Sequence, residues 1–218
     1  MTEGTIALWE IATPQVEPGA ALASHRKTFT SLQNRVTQNG SVWLVARNYF
    51  HDGQLVPWPL IVADHFVKGE RFRLKNILLH YSVMPAVRGK KLVPAHTSIL
   101  FMVKADGKYH FDKDPIREPH IFKDIEWGKR TTGTSGYHQE RESPRYPPGG
   151  RDPGNIFYKT KRDDQGYILD VYDYPLPELY DKIVLISTEE GWKAITNIGD
   201  RRFGEAVLRN KRLLERLP

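Results

Sequence analysis

The run Ser41-Val42-Trp43-Leu44-Val45-Ala46 decides the fold class of this 218-residue chain. Every side chain after Ser41 is apolar, glycine precedes the run, and the polar pair Arg47-Asn48 follows it. A short apolar run bounded in this way is typical of a strand that is buried on both faces. Because such strands belong to sheets that helices cover on each side, the run indicates an α/β protein.

The segments on either side of this run predict alternating helices and strands. Before it, apolar residues at helical spacing predict a helix over Ala20–Gln38, which the left-handed stop Asn39-Gly40 would end. After it, the pattern predicts a helix with proline in its first turn, two strands, an amphipathic helix, a short strand and a basic closing helix. These elements span Pro57–Lys68, Phe72–Tyr81, Thr97–Lys104, Pro175–Ser187, Lys193–Ile198 and Phe203–Leu217.

Composition excludes several classes of protein. The chain has no cysteine, which rules out disulfides, thiol nucleophiles and cysteine-bound zinc, and is consistent with a cytoplasmic protein. No apolar run approaches the roughly 18–20 residues of a membrane span, and the first residues lack the basic region of a secretory signal. The net charge of +6 favours an anionic partner over a cationic one.

Between residues 105 and 164 the periodic patterns fade, and glycine, proline, basic and aromatic residues take their place. A long stretch without periodicity inside a domain is usually a functional loop or a disordered segment. Basic side chains neutralise phosphates and aromatic faces stack on unpaired bases, so this loop suits a nucleic-acid surface, with a solvated loop as the alternative. We therefore divide the chain into a core part at 1–104, a loop-rich insertion at 105–164 and a second core part at 165–218.

Phosphate-binding and metal motifs are weak or missing. Neither a G-x-G-x-x-G nor a G-x-x-x-x-G-K-[ST] loop occurs in the chain. Two histidines and three aspartates in the loop lack the spacing of metal ligands, so we interpret them as solvated and expect no metal site. Asp124 and Glu126, close to Lys129, leave a metal-dependent nuclease open as an alternative. The histidines and aspartates concerned are His110, His120, Asp112, Asp114 and Asp124.

Several segments, taken in their order along the chain, resemble the β-class DNA amino-methyltransferases, which methylate N4 of cytosine or N6 of adenine. Asn39–Val45 resembles the passage from helix through Pro-Gly-Gly into a strand, and His96–Lys104 is similar to the His-Glu-x-Ile-Leu-x-x-x-Lys strand. Three later segments resemble Pro-Gly-Asp/Asn-Val-Trp, His-Pro-Ala-x-Phe-Pro-x-x-Leu and Gly-Arg-x-Phe-x-Gly-x-Glu: Asp152–Phe157, Asp173–Leu179 and Asp200–Glu205. The resemblance implies a Rossmann-like methyltransferase sheet with helices on both faces, with the long loop insertion in the place of the target-recognition region.

Two departures from the family concern its chemistry. The catalytic turn of the family reads Asp/Asn/Ser-Pro-Pro-aromatic, in which the first side chain and a proline carbonyl accept hydrogen bonds from the target amine and the ring stacks on the flipped base. Here Thr13 and Pro14 are the only remnant of that turn. The cofactor loop Val-Leu-Asp-Pro-Phe-x-Gly-Ser-Gly is absent between Gly191 and Asn197. Glu205 occupies the position that holds the ribose hydroxyls of S-adenosylmethionine, and a surface acid is the alternative interpretation.

The resemblance and its departures together predict a DNA-binding, methyltransferase-like subunit of a modification or restriction-modification system. We expect it to be catalytically inactive, to need no cofactor and to act with an active DNA methyltransferase or as a homodimer. Three alternatives stay open: an active S-adenosylmethionine-dependent enzyme completed by a partner chain, a restriction nuclease subunit, and a scaffold that binds only protein. The expected partner is double-stranded DNA, with no membrane. The predicted DNA contacts are Lys104, Arg117, Lys129, Arg130, Tyr137, Arg141, Arg145, Tyr146 and Arg151.

Overall fold

A six-stranded sheet is the centre of the computed structural model of this chain. The structure describes residues 4–11, 13–14, 16–69, 71–82, 94–119, 149–165, 167–188 and 192–195. For residues 193–195 it describes the backbone only. The helices are α1 (Pro18–Arg35), α2 (Trp58–Lys68) and α3 (Leu176–Ser187), with a 3₁₀ turn at Asp114–Ile116. The strands are β1 (Thr5–Glu10), β2 (Ser41–Ala46), β3 (Tyr49–His51), β4 (Gln54–Val56), β5 (Phe72–Tyr81), β6 (His96–Lys104), β7 (Ile156–Phe157), β8 (Lys159–Arg162), β9 (Ile168–Tyr172) and β10 (Lys193–Ile195).

The strand order of the central sheet is β10-β1-β2-β6-β5-β7. Strand β6 runs antiparallel to both of its neighbours, and the remaining pairs are parallel. Strand β2 lies inside the sheet, and all six of its residues are buried, as its uninterrupted apolar run predicts. Two further pairs of strands, β3–β4 and β8–β9, form separate two-stranded sheets.

Helices cover both faces of the central sheet, and each face has its own apolar core. On one face α1 and α2 pack their aromatic side chains, led by Phe29, Trp58 and Phe66, against the sheet. On the other face α3 packs Leu179 and Ile183 against Trp43 and its neighbours. We call these the α1/α2 face and the α3 face. The arrangement confirms the expected α/β sheet with helices on both sides.

Most of the predicted elements are present at close to the expected bounds. The sequence prediction did not include β1, the β3–β4 hairpin or the β8–β9 pair. Strand β7 falls within the predicted insertion at 105–164 yet pairs with β5 in the central sheet. The expected basic helix at Phe203–Leu217 lies outside the described residues. The three-part division of the chain stays a prediction.

A two-residue antiparallel bridge joins Glu118 and Arg151, which both lie inside the predicted insertion. The backbone N–H of Glu118 donates to the carbonyl of Arg151 at 3.1 Å, and the N–H of Arg151 donates back at 2.8 Å. The two side chains also form an ion pair. The bridge therefore holds Glu118 and Arg151 side by side.

Candidate functional site

The carboxyl ends of β10, β1 and β2 form the edge at which a sheet of this kind binds ligands. Helix α1 leads the chain from β1 to β2 on one side of β1, while β10 pairs with β1 on its other side. Open α/β sheets bind ligands outside the carboxyl ends of the strands where the strand order reverses in this way. Thr13 and Pro14 follow the end of β1, so the structure places both predicted remnant residues at this reversal.

The turn after β1 offers few groups for chemistry. Thr13 is exposed and Pro14 is half-buried, and the carbonyl of Val16 accepts a hydrogen bond from the Tyr49 hydroxyl at 3.0 Å. Glu17, a carboxylate that follows the turn, caps α1 by accepting from the backbone N–H of Ala20 at 3.1 Å. Hydrogen bonds from backbone N–H groups at the helix start hold the pKa of Glu17 below its ordinary value. Glu17 therefore stabilises the start of α1.

A second polar group, His80, lies near the carboxyl end of β5. The side chain is buried, and its Nε2 lies 2.5 Å from the carbonyl oxygen of Tyr174. Because a carbonyl only accepts, Nε2 carries the proton and Nδ1 is the acceptor of the neutral ring. Burial lowers the pKa of His80, the bond to Tyr174 opposes that effect, and the charges of Arg47 and Asp173 act in opposite directions. His80 is therefore neutral near pH 7.

Thr97 is the cross-strand neighbour of His80 in the β5–β6 register. Within the described part of the chain, neither Nδ1 of His80 nor Oγ1 of Thr97 has a hydrogen-bond partner, although both atoms are buried. The pair of His80 and Thr97 was not predicted from the sequence. The signal that locates it is the alternation along β5, which puts His80 on the same face as the buried Leu78.

Two of the predicted DNA contacts, Arg117 and Arg151, lie inside the predicted insertion, at the bridge between Glu118 and Arg151. The Nε of Arg117 is 2.6 Å from the carboxylate of Asp114, and its Nη1 donates to the carbonyl of Gly150 at 3.1 Å. Arg151 is paired with Glu118. The structure thus brings both arginines to the bridge, where each has an acidic partner of its own chain. Their contact with DNA stays a prediction.

Lys104, the third described member of that set, is at the end of β6. Its Nζ donates to the carbonyl of Gln33 in α1 at 2.5 Å and lies 4.8 Å from the centre of the Phe72 ring. Burial lowers the pKa of Lys104, and the nearby charge of Arg71 acts in the same direction. Lys104 therefore joins the sheet to α1 and shares no described contact with Arg117 or Arg151.

The remaining predicted site residues lie outside the described residues. They are Lys129, Arg130, Tyr137, Arg141, Arg145, Tyr146, the possible cofactor residue Glu205, and the nuclease candidates Asp124 and Glu126. Among the residues that the structure does describe, no three histidine, aspartate or glutamate side chains lie close enough to hold a metal ion. No helix in the described ranges is long and apolar enough to cross a membrane.

The antiparallel pair β8–β9, which we call the ribbon, is the main exposed feature that sequence analysis missed. All five residues of β9 are exposed, and the exposed fraction reaches 60% for Leu169 and 69% for Tyr167 in the preceding turn. The base of the ribbon is held by Lys159, whose Nζ lies 2.6 Å from the carboxylate of Glu178 in α3. That hydrogen bond raises the pKa of Lys159. Since both faces are exposed, no alternation of polar and apolar residues marks the ribbon in the sequence.

Comparison with known proteins identifies the fold. No family model matches the chain, and no curated protein does. Among solved structures, M1.HpyAVI in complex with SAM matches with a TM-score of 0.51 and 14% identity, over 97% of this chain and 79% of that one. The fold of this chain is similar to that of M1.HpyAVI. A Thermus thermophilus protein named "Putative DNA Modification Methylase" has a TM-score of 0.48 and 11% identity, over 99% and 88% of the two chains.

At these identities the likeness concerns the fold alone, since one fold supports many activities. It accounts for the mixed sheet and the helices on its two faces. The chemistry of this chain has to be argued from its own residues.

Proposed function

We propose that this chain is a DNA-binding, methyltransferase-like subunit that transfers no methyl group itself and acts beside an active DNA methyltransferase. The observation that carries the proposal is the exposed ribbon on a fold of the methyltransferase kind. Monomeric soluble proteins rarely expose large contiguous apolar surfaces, and such surfaces mark interaction sites. Five apolar or aromatic side chains between residues 167 and 172 are more than a third exposed: Tyr167, Ile168, Leu169, Val171 and Tyr172.

The turn after β1 supports the absence of methyl transfer by this chain alone. Transfer to an exocyclic amine, as the resembling family performs it, needs a hydrogen-bond acceptor, a rigid turn and an aromatic ring over the flipped base. Thr13 supplies a hydroxyl and Pro14 a rigid backbone, but the sequence continues with Gln15 and Val16 in place of an aromatic residue. At the reversal of strand order, the chain therefore keeps a hydroxyl acceptor and a rigid turn but lacks the aromatic ring that would stack on the flipped base.

The residues after β10 fit the cofactor poorly. S-adenosylmethionine approaches backbone amides closely, and glycine is the residue that permits such an approach. Strand β10 ends at Ile195, and the sequence from Thr196 to Asp200 contains Gly199 as its one glycine. We therefore derive no step through this cofactor and expect the isolated chain not to bind it.

DNA binding is proposed to use the basic residues of the insertion. Each lysine or arginine that neutralises a phosphate releases counterions, so affinity falls steeply as salt rises. The test is fluorescence anisotropy of a labelled duplex at several salt concentrations. The double variant Lys129→Ala, Arg130→Ala should bind more weakly, with a salt slope smaller by about two. The matched control, Arg26→Ala with Lys27→Ala on the exposed side of α1, removes the same charge and should leave the slope unchanged.

Calorimetric titration of S-adenosylmethionine into the purified chain separates the proposal from its alternatives. The expected result is no heat from the cofactor together with salt-sensitive DNA binding. Cofactor binding in the micromolar range would contradict the proposal and favour an enzyme that a partner completes. Cleavage of DNA with Mg²⁺ would favour the nuclease, and a chain that binds no DNA would be a protein scaffold.

The docking role of the ribbon has its own measurement. If a second copy is the partner, sedimentation equilibrium should show a dimer, which Leu169→Ser with Tyr172→Ser should weaken. The control Leu60→Ser changes a leucine on α2 that is 56% exposed, close to the 60% of Leu169. A chain that remains monomeric leaves a different protein, the active methyltransferase, as the proposed partner.

A further inference from the structure

The carboxylate of Glu118 has two cationic partners, one at each oxygen. Its Oε2 accepts a hydrogen bond from Nη2 of Arg151 across the bridge, and its Oε1 lies 3.6 Å from Nζ of Lys182 in α3. A charged hydrogen bond between an ammonium group and a carboxylate is shorter, at about 2.7–2.9 Å. Arg151 is therefore the close partner of Glu118, and Lys182 is a second cation that lies farther away.

Two buried aromatic rings hold Lys182 beside Glu118. Its Nζ lies 5.4 Å from the centre of the Tyr174 ring and 5.8 Å from the centre of the Phe157 ring. The two rings are buried and make an edge-on contact with each other at a centroid distance of 5.6 Å. A cation within about 6 Å of a ring centre is attracted by the ring. The position of the ammonium group of Lys182 therefore does not depend on Arg151.

Arg151 is the most accessible of these three charged side chains. It is 42% exposed, compared with 33% for Glu118 and 21% for Lys182. The Nε of Arg151 is buried, so an anion that reaches this residue pairs with the terminal nitrogens of the guanidinium group. One of these nitrogens already donates to Glu118. A phosphate at Arg151 therefore competes with Glu118 for the same group.

Glu118 needs a replacement for Arg151 if such a phosphate takes the guanidinium. A partly buried charge that loses its partner is destabilising, because water restores only part of the lost interaction. Asp114, the partner of the other predicted contact Arg117, is 70% exposed, so water can take the place of that arginine. Glu118 is half as exposed, but Lys182 is already beside it.

We propose that Lys182 is a positioning residue for DNA binding: it takes over the charge of Glu118 and thereby releases Arg151 to a DNA phosphate. The exchange moves no proton and breaks no covalent bond. Arg151 exchanges a carboxylate for a phosphate, and Lys182 closes its 3.6 Å separation from Glu118. The inference rests on the proposed function, in which Arg151 contacts DNA, and it adds a residue that the sequence does not predict.

Fluorescence anisotropy of a labelled duplex at several salt concentrations tests the exchange. Each lysine or arginine that contacts a phosphate adds about one to the slope of log affinity against log salt concentration. Arg151→Gln should lower that slope by about one, because it removes a phosphate contact. Lys182→Gln should also lower the slope, and should weaken binding by about threefold, although Lys182 itself contacts no phosphate.

Lys159→Gln is the matched control, because it removes the same charge from the same neighbourhood. The Nζ of Lys159 lies 4.7 Å from the centre of the Tyr174 ring, and its ion pair is with Glu178 instead of Glu118. The control should leave both affinity and salt slope nearly unchanged. Equal losses in the Lys159 and Lys182 variants would overturn the proposal, because the effect would then come from net charge or from packing on Tyr174.

The variant Glu118→Gln separates a positioning role of Lys182 from a structural one. A neutral amide needs no counter-ion, so this change should release Arg151 and raise the affinity for DNA. Lys182→Gln should then have no further effect on the affinity. If it still weakened binding in the Glu118→Gln chain, Lys182 would act by supporting the fold, and the proposal would be overturned.

The same measurements distinguish failure of this inference from failure of the proposed function. A parent chain that binds no DNA would overturn both. A parent chain that binds DNA with a salt slope that Arg151→Gln does not change would overturn the exchange alone, because the phosphate contacts would then lie elsewhere in the chain.

Discussion

The two faces of the central sheet differ in how completely they are filled. Two helices cover the α1/α2 face, where Phe66 makes edge-on contacts with Phe29 and Phe72 at centroid distances of 4.9 and 5.5 Å. In the part of the chain that the structure describes, α3 is the helix on the α3 face, and beside it lies a pocket of about 300 Å³ that Phe111 and Asp152 help to line.

The two faces also differ in how many buried polar atoms lack a hydrogen-bond partner. Among the described core side chains of the α1/α2 face, one buried polar atom has no hydrogen-bond partner, Nε1 of Trp58. On the α3 face, four buried polar atoms have no hydrogen-bond partner among the described residues: Nε1 of Trp43, Nδ1 of His80, Oγ1 of Thr97 and Oγ of Ser187. The α3 face therefore bears more of the free-energy cost of burying polar atoms, whereas the α1/α2 face buries almost purely apolar side chains.

The largest expected change in stability comes from removing a buried side chain on the α1/α2 face. Phe66→Ala should lower the free energy of unfolding by about 3–5 kcal/mol, because a fully buried aromatic side chain is lost and its neighbours cannot close the space. Chemical denaturation measures the change. Phe111→Ala on the other face should cost less than about 1 kcal/mol, since its ring is 45% exposed. A similar loss in both variants would contradict the difference between the faces.

The pH dependence of stability tests the α3 face through His80. Its pKa in the folded state lies below the unfolded value, so the unfolded chain binds more protons between the two. The stabilising contribution is therefore complete above about pH 6.5 and is lost as the pH falls from there through the folded pKa. The slope reaches at most about 1.4 kcal/mol per pH unit for one histidine.

The variant His80→Gln should flatten that slope in urea denaturation measured between pH 5 and pH 8, a range set at about one to two units around the histidine pKa. His25→Gln is the control on the α1/α2 face, where burial also lowers the pKa of a histidine but leaves it half-buried. If the two changes flatten the slope equally, His80 is no more responsible for it than His25.

Two threonines of the same sheet allow a test with opposite signs. Thr97→Val removes a buried hydroxyl that has no partner among the described residues and should stabilise the fold by about 1 kcal/mol. Thr5→Val removes an oxygen that accepts from the backbone N–H of Thr37 at 2.8 Å and should destabilise by about 1–2 kcal/mol. Thermal unfolding compares both with the parent chain. A loss in both variants would mean that the hydroxyl of Thr97 has a partner in solution.

The smallest expected effect belongs to the ion pairs at the surface. Glu178→Gln breaks the 2.6 Å pair with Lys159 at the base of the ribbon and should cost less than about 1 kcal/mol, because both side chains are partly exposed. Asp64→Asn breaks the 2.6 Å pair with Lys68 on α2 and should cost about 0.5 kcal/mol or less. Denaturation in low salt measures both changes, and a clearly larger loss for Glu178→Gln would show that this pair also holds the ribbon.

The sequence predicts best those elements whose periodicity matches their burial. Strand β2 is apolar without interruption because both of its faces are buried, and α3 has its apolar stripe because one side lies on the sheet. The exposed strand β9 lacks the alternation of polar and apolar residues that marks a half-buried strand, although its Tyr, Ile and Val residues favour a strand. Strand β1 is the exception, since Thr5–Glu10 is nearly as apolar and as buried as β2 and could have been found by the same reasoning.

The candidate site is harder to predict because its groups come from distant parts of the chain. His80 and Tyr174 are 94 residues apart, and only the folded sheet places the carbonyl of one beside the imidazole of the other. The basic residues Arg117 and Arg151 are predicted from composition, but composition says nothing of the carboxylates that pair with them. Sequence patterns name residue types, while burial and partners depend on tertiary contacts.

The bridge between Glu118 and Arg151 joins two distant positions of the chain. These residues are 33 positions apart, yet two backbone hydrogen bonds and an ion pair hold them together. Doubling the length of a closed loop costs only about 0.6 kcal/mol in entropy. Changes in the number of residues between Glu118 and Arg151 should therefore alter the free energy of closing the bridge only slightly, so the bridge is a suitable junction at which to vary the length of the chain.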